Sequence, residues 1–88
     1  MGQDWPAEQP AVVYIDGYGN VMTGLRPRPG AVLSAGEQQF RERRTFADAV
    51  RGEAFWYKNA LGLAEIAVNQ GNAASRLGLG LGDAAAWL

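Results

Sequence analysis

The chain contains neither histidine nor cysteine, and these two absences restrict its chemistry strongly. Without histidine it lacks the commonest general base and a common metal ligand. Without cysteine it can form no disulfide, thiolate ligand or thiol nucleophile. The nine acidic residues are scattered, and no two stand at a spacing typical of a metal site or a catalytic carboxylate pair. The sequence therefore predicts no catalytic residue and no metal site within this chain.

Net charge and long apolar runs are also scarce. The formal net charge of −1 provides no basic excess for binding nucleic acid or an anionic membrane. No apolar stretch approaches the ~20 residues of a membrane span. The first residues have neither the basic start nor the apolar centre of a secretion signal. We therefore expect a cytoplasmic protein of bacterial type that binds neither nucleic acid nor membrane.

Apolar residues are nevertheless abundant enough for one small domain. Of the 88 residues, 48% are hydrophobic, and a chain of this length buries roughly 60–65% of its surface on folding. Residues 1–10 are polar and interrupted by Pro6 and Pro10, which predicts a linker before a domain at 11–88. Short β-capable runs separated by glycine and proline predict a mainly β fold. We expect a six- to seven-stranded antiparallel barrel or sandwich with one or two helical turns.

Turn signals divide the chain into short elements. Strands are expected at 11–16, 20–25, 30–34, 38–43, 53–58, 63–69 and 84–88. A helix at 73–77 would begin after the N-cap Asn72 and stop at Gly78, and another helical turn is expected at 46–50. Trp56 is interpreted as a packing residue. Glu65 alternates with apolar neighbours on a strand, so it is interpreted as solvated or as part of a subunit contact.

The segment Asp-Gly-Tyr-Gly-Asn at 16–20, here called the corner, is the most informative local motif. Two β-capable runs joined by a Gly/Asn/Asp cluster predict a hairpin-like connection. Such a connection exposes polar side chains and backbone groups that a flat ligand can approach. The same residues are common in ordinary turns, so local chemistry alone favours a turn.

The order of motifs along the whole chain changes that interpretation. The corner is followed by Thr-Phe-Ala-Asp at 45–48 and by Gly-Leu-Ala-Glu-Ile-Ala-Val-Asn at 62–69. In this order the motifs resemble the C-terminal domain of the S-adenosylmethionine (SAM) hydroxide adenosyltransferases, the family that includes the fluorinase and the chlorinase. The resemblance covers nearly the full chain, from about residue 11 to residue 88.

The resemblance implies that the chain binds and orients the adenosyl group of SAM at a subunit interface. In this family the C-terminal domain packs against the N-terminal domains of its own and a neighbouring subunit in a homotrimer. The residues that activate water belong to the N-terminal domain. The parent reaction would convert SAM and water to adenosine and methionine, with SAM as substrate and no cofactor. By itself, this chain is expected to be inactive.

The resemblance also implies six substrate-binding residues: Asp16, Tyr18, Asn20, Phe46, Val68 and Gln70. Asp16 would contact the amino acid part of SAM, Tyr18 would be the aromatic residue of the corner, and Asn20 would hydrogen-bond the adenine edge. Phe46 would stack on the adenine. Backbone groups at the strand end that includes Val68 and Gln70 would meet the Watson–Crick edge of the base.

Two residues depart from the family pattern, and one alternative remains open. Fluorinase-type members carry Ser-Arg where this chain has Ala60 and Leu61, so relatives that use water are the better comparison. Residues 68–83 also resemble the helix-and-turn segment of a PDZ domain. That resemblance implies a non-catalytic β-module for protein or peptide interaction, with the carboxylate-binding loop at 60–63.

Overall fold

The structure is a computed structural model and describes residues 8–44 and 49–88. Most of the predicted linker and most of the predicted helical turn at 46–50 therefore lie outside the described residues. Ala49 and Val50, the two described positions of that turn, are not helical.

Seven strands and one helix form within the described residues, and the predicted mainly β fold is confirmed. They are β1 (Gln9–Ile15), β2 (Val21–Gly24), β3 (Leu33–Ala35), β4 (Gln38–Phe40), β5 (Ala54–Lys58), β6 (Ala64–Val68), α1 (Ala73–Leu77) and β7 (Ala85–Trp87). Each predicted strand has a counterpart. All seven differ from the predicted bounds by one to three residues at an end. The largest differences, at the start of β3 and the end of β4, have identifiable causes.

β3 and β4 are shorter than the sequence pattern suggests. A turn occupies the predicted start of β3, with Gly30 at φ +82° and the Ala31 N–H donating to the Arg28 carbonyl. β4 ends at Phe40 because the chain then leaves β3 and runs beside β5. There the Trp56 N–H donates to the Arg41 carbonyl at 3.0 Å.

The strands form two antiparallel sheets. One has the order β1-β2-β6-β5, and the other has the order β4-β3-β7. Single bridges, Ala11 with Ala84 and Glu42 with Trp56, connect the sheets at their margins. The ladders do not continue across these bridges, so the domain is a sandwich and not a closed barrel.

The core fills the space between the sheets. Trp56 is fully buried, its indole N–H donates to the Ala31 carbonyl at 2.9 Å, and its ring meets Trp87 edge to face with 4.7 Å between centroids. The packing interpretation of Trp56 is therefore confirmed. Both sheets and α1 supply the rest of the cluster: Val12, Val21, Leu25, Leu33, Ala35, Phe40, Ala64, Ile66, Val68, Ala73, Leu79 and Ala85.

Helix α1 begins and ends where the sequence predicts. The Asn72 side chain accepts a hydrogen bond from the Ser75 N–H, which satisfies one backbone donor of the first turn. Gly78 ends the helix in the left-handed conformation, with φ +69°. No helix within 8–44 or 49–88 has the length and apolar character needed to cross a bilayer.

Candidate functional site

The corner is held together by the side chain of Asp16. Its Oδ1 accepts hydrogen bonds from the backbone N–H groups of Tyr18 at 2.8 Å and Asn20 at 3.0 Å. Its Oδ2 accepts from the Asn20 side-chain amide at 3.3 Å. The Asp16 N–H also donates to the Asn20 carbonyl. Asp16 therefore shapes the loop and positions Asn20, whereas the ring of Tyr18 is 83% exposed.

Gly19 joins the corner to the start of α1. Its φ is +85°, and its carbonyl accepts from the Ala74 N–H at 2.8 Å. A Cβ atom at Gly19 would lie only 2.0 Å from the Asn72 side-chain oxygen, so only glycine permits this approach. The contact brings the corner beside the segment that connects β6 to α1.

That connecting segment contains the other two predicted positions within the described residues. Val68 is buried in the core, and its carbonyl accepts from the Gly71 N–H at 3.0 Å. Gln70 is exposed and has φ +60°. The neighbouring Asn69 pairs its backbone with Gly52 and Glu53. The fold thus places the β6 end beside the corner, and Phe46 lies outside the described residues.

The outer face of the four-stranded sheet carries a row of four paired side chains, here called the outer row. Strand pairing matches Tyr14 with Met22, Met22 with Glu65, and Glu65 with Tyr57. Directly paired residues point to the same side of a sheet. The intervening Val21, Ile66 and Trp56 belong to the core, so the outer row lies on the opposite face.

Glu65 is the centre of the outer row, and the interpretation that it is solvated is wrong. It is only 6% exposed because β6 lies between β2 and β5, and every residue of β6 is buried. Its carboxylate accepts from the Tyr57 hydroxyl at 2.8 Å and from the Asn59 side-chain amide at 2.9 Å. These bonds compensate the burial of the acid.

The corner and the outer row influence each other electrostatically. Burial raises the pKa of the Tyr57 hydroxyl above its ordinary value, and the hydrogen bond to Glu65 raises that pKa further. The negative charges of Glu65 and Asp16 act in the same direction. The charge of Asp16 at the corner thus acts on Tyr57 of β5 in the same direction as the charge of Glu65.

Asn20 connects the two features. It directly precedes Val21, which pairs with Ile66, so the register places Asn20 opposite Ala67. Side chains alternate between faces along a strand, and Asn20 therefore shares the outer face with Met22. On the same face Ala67 packs with Phe55 and Ala49, and the Ala49 carbonyl accepts from the Asn69 side chain at 2.8 Å.

Sequence reasoning missed Glu65, Tyr57 and Asn59 as members of one polar cluster. Two signals were present: an acid within the apolar run of β6, and an aromatic residue two positions after Phe55. Neither shows that the residues meet, because their contact depends on the register of β5 with β6. Among the described residues, no group of three or more potential metal-ligating side chains that could hold an ion comes together.

Comparison with known proteins identifies related chains. The sequence model of the SAM hydroxide adenosyltransferase C-terminal domain matches residues 10–86. A protein of Thermus thermophilus named (R)-S-adenosyl-L-methionine hydrolase is 38% identical over 69 residues, which cover 77% of this chain and 27% of the hydrolase.

Two solved structures share the fold. A crystal structure of a conserved hypothetical protein from Thermus thermophilus has a TM-score of 0.85 and 35% identity, with 93% of this chain and 36% of that chain covered. A conserved protein of Thermotoga maritima has a TM-score of 0.75 and 25% identity, with 94% and 38% covered. The chain thus spans well under half the length of these relatives.

Proposed function

Because the chain belongs to the family of SAM hydroxide adenosyltransferase C-terminal domains, we propose that it binds and orients the adenosyl group of SAM. In the proposed assembly the site lies at a subunit interface of a homotrimer, where N-terminal domains cover it. The reaction is attack of water on the ribose C5′ of SAM, which breaks the C5′–S bond and yields adenosine, methionine and a proton. Residues outside this chain activate the water.

The observation that carries this proposal is the meeting of the corner with the end of β6. Asn20, which would hydrogen-bond the adenine, and the 68–70 turn come from distant parts of the sequence. They become neighbours through the pairing of Val21 with Ile66 and the Ala74–Gly19 hydrogen bond. Holding a substrate in a reactive orientation lowers the barrier by reducing the entropy lost in the reaction.

Asn20 has the chemistry that an adenine edge requires. A carboxamide both donates and accepts hydrogen bonds, and adenine presents an amino donor beside a ring-nitrogen acceptor. In the structure the side-chain nitrogen of Asn20 donates a long hydrogen bond of 3.3 Å to Asp16. This bond does not use the side-chain oxygen of Asn20, which can accept from a ligand. The half-buried carboxyl group of Asp16 is suited to the ammonium group of the methionine part.

An NMR titration of this chain with adenosine tests the proposal. Half of an interfacial site leaves the ligand partly solvated, so we expect a Kd on the order of millimolar, about −4 kcal/mol. The amide shifts should cluster at Tyr18, Asn20 and residues 68–70. Inosine is the matched control, because it replaces the adenine amino group with an oxygen and should bind more weakly.

The peptide-binding alternative is tested in the same sample. Addition of a peptide with a free C-terminal carboxylate should leave the spectrum unchanged. Shifts confined to residues 60–63 with that peptide, together with no response to adenosine, would contradict the nucleoside proposal. The family match does not favour this alternative.

A further inference from the structure

The outer row places one buried carboxylate among two aromatic rings and a thioether. Tyr14 and Tyr57 stand at the two sides of the sheet, and Met22 and Glu65 lie between them. Directly opposed residues on neighbouring strands are about 5 Å apart at Cβ. The four side chains therefore form one continuous strip across the sheet.

The described partners of Glu65 donate hydrogen bonds to its carboxylate, but none of them carries a positive charge that would neutralise it. The Tyr57 hydroxyl and the Asn59 amide are both neutral donors. An ionised carboxylate has roughly four acceptor positions, of which these bonds use two. Because the group is buried, the surrounding medium screens its charge less than water would. Its field therefore extends over the outer face of the sheet.

Rings and a carboxylate on one surface are the combination that attracts organic cations. Asn20 lies two residues from Met22 along the chain, a step of about 7 Å on the outer face. An adenine held at Asn20 would therefore place the far side of its ribose over the outer row.

We infer that Glu65 and the outer row determine specificity for a cationic ligand. They would favour the sulfonium of SAM over the neutral thioether of S-adenosylhomocysteine. Glu65 acts through its charge, and it is not a catalytic residue. This inference rests on the proposed function, because it assumes that the adenine is bound at the corner.

The test compares the affinities of SAM and S-adenosylhomocysteine for the wild-type chain and for Glu65→Gln. The wild-type chain should bind SAM about five to ten times more tightly at low ionic strength. Glu65→Gln keeps the size of the side chain and removes its charge, so this ratio should fall to about one without a change in S-adenosylhomocysteine affinity. Glu37→Gln is the matched control. It removes the same charge from an exposed position in the other sheet's hairpin, and it should preserve the ratio.

A second variant tests the inference if Glu65→Gln does not fold. Tyr14 is 55% exposed on the edge strand β1, so Tyr14→Leu should fold normally and lower the ratio about two- to threefold. The inference fails, and the proposed function remains, if adenosine binds but the wild-type chain has equal affinity for SAM and S-adenosylhomocysteine. The same conclusion follows if adenosine binds and both variants keep the wild-type preference for SAM. If adenosine, SAM and S-adenosylhomocysteine all fail to bind, the inference and the proposed function fail together.

Discussion

At the scale of single residues, Asp16 and Gly19 determine the shape of the corner. Asp16 accepts three hydrogen bonds from the four residues that follow it, so it is required for the shape of the loop. The left-handed conformation falls on Gly19 at φ +85°, and Asn20 is not among the described residues with positive φ. The backbone at position 20 therefore does not require a residue that tolerates positive φ, and the Asn20 side chain donates to Asp16.

Substitutions at Asn20 should separate recognition from folding. We expect Asn20→Gly to change the unfolding free energy by less than about 1 kcal/mol, since only one long hydrogen bond is lost. Adenosine affinity should nevertheless fall by about 1–3 kcal/mol in the enzyme rebuilt with its N-terminal domain, because a polar partner is left unpaired in a closed site. Urea denaturation and ligand titration measure the two effects.

Asn20→Asp should be the more damaging change. It removes the donor and places a second carboxylate beside Asp16, so the loss of stability should decrease as salt is added. Unchanged SAM affinity and turnover in the rebuilt Asn20→Asp enzyme would show that the corner is only a turn.

Tyr57 should make the domain less stable at alkaline pH. Burial, followed by the bond to Glu65, raises the pKa of this hydroxyl above the value near 10 of an unfolded tyrosine. The folded state therefore holds the Tyr57 proton more strongly than the unfolded state does. The resulting contribution to the free energy of unfolding is complete below about pH 10 and is lost as the pH rises further. Tyr57→Phe should reduce the fall in unfolding free energy between about pH 9 and pH 11. Tyr18→Phe, at an 83% exposed position, is the control and should retain that fall.

At the scale of elements, one glycine joins the corner to α1. The approach of Gly19 to Asn72 connects the β1–β2 loop to the N-cap of a helix more than fifty positions later in the chain. The helix is only five residues long, so it is not stable alone. Its position depends on its cap, on the Ala74–Gly19 hydrogen bond and on burial of Ala73.

Two glycines of the corner provide a matched test of this connection. Gly19→Ala should destabilise the domain by about 2 kcal/mol or more, because it combines a strained positive φ with a displaced N-cap. Gly17→Ala has no atom within 4 Å of the added Cβ and no positive φ, so its effect should lie within about 0.5 kcal/mol. Equal stability losses in thermal or urea unfolding would contradict the packing of the corner on α1.

At the scale of the whole molecule, the residues that match the related hydrolase cover 27% of its length. The proposed role of the outer face is to position the substrate, and the chain contains no histidine or cysteine. The described acids that lie near this face, Asp16 and Glu65, are already engaged in hydrogen bonds. In the proposed assembly, catalysis therefore belongs to the N-terminal domain.

The purified chain should not convert SAM to adenosine and methionine. Incubation with SAM and chromatographic detection of adenosine should give the same rate as buffer alone. Multiple turnovers that disappear on a point substitution within this chain would contradict the proposed division of roles. Adding the N-terminal domain in the same assay should restore activity.

The sequence alone determined the elements of this domain. Short β-capable runs bounded by turn signals predict the strands, and Asn72 and Gly78 predict both ends of α1, because these signals depend on neighbouring residues. The family motifs also identified the corner and the β6 end, since both occupy short contiguous segments. The predicted start of β3 was wrong because a local turn at 28–31 delays the strand. The end of β4 could not be predicted, because the pairing beyond Phe40 is with the distant strand β5.

Only the tertiary structure decided which side chains share a face and how deeply they are buried. In sequence Glu65 looks like an exposed residue, because it is an acid between apolar neighbours on a strand. It is buried because β6 is paired on both sides, and it meets Tyr57 because of the strand register. Likewise, the closeness of Gly19 to Asn72 follows from the path of the chain between them. Such contacts join residues that are far apart in sequence, and local propensities do not show which distant residues meet in space.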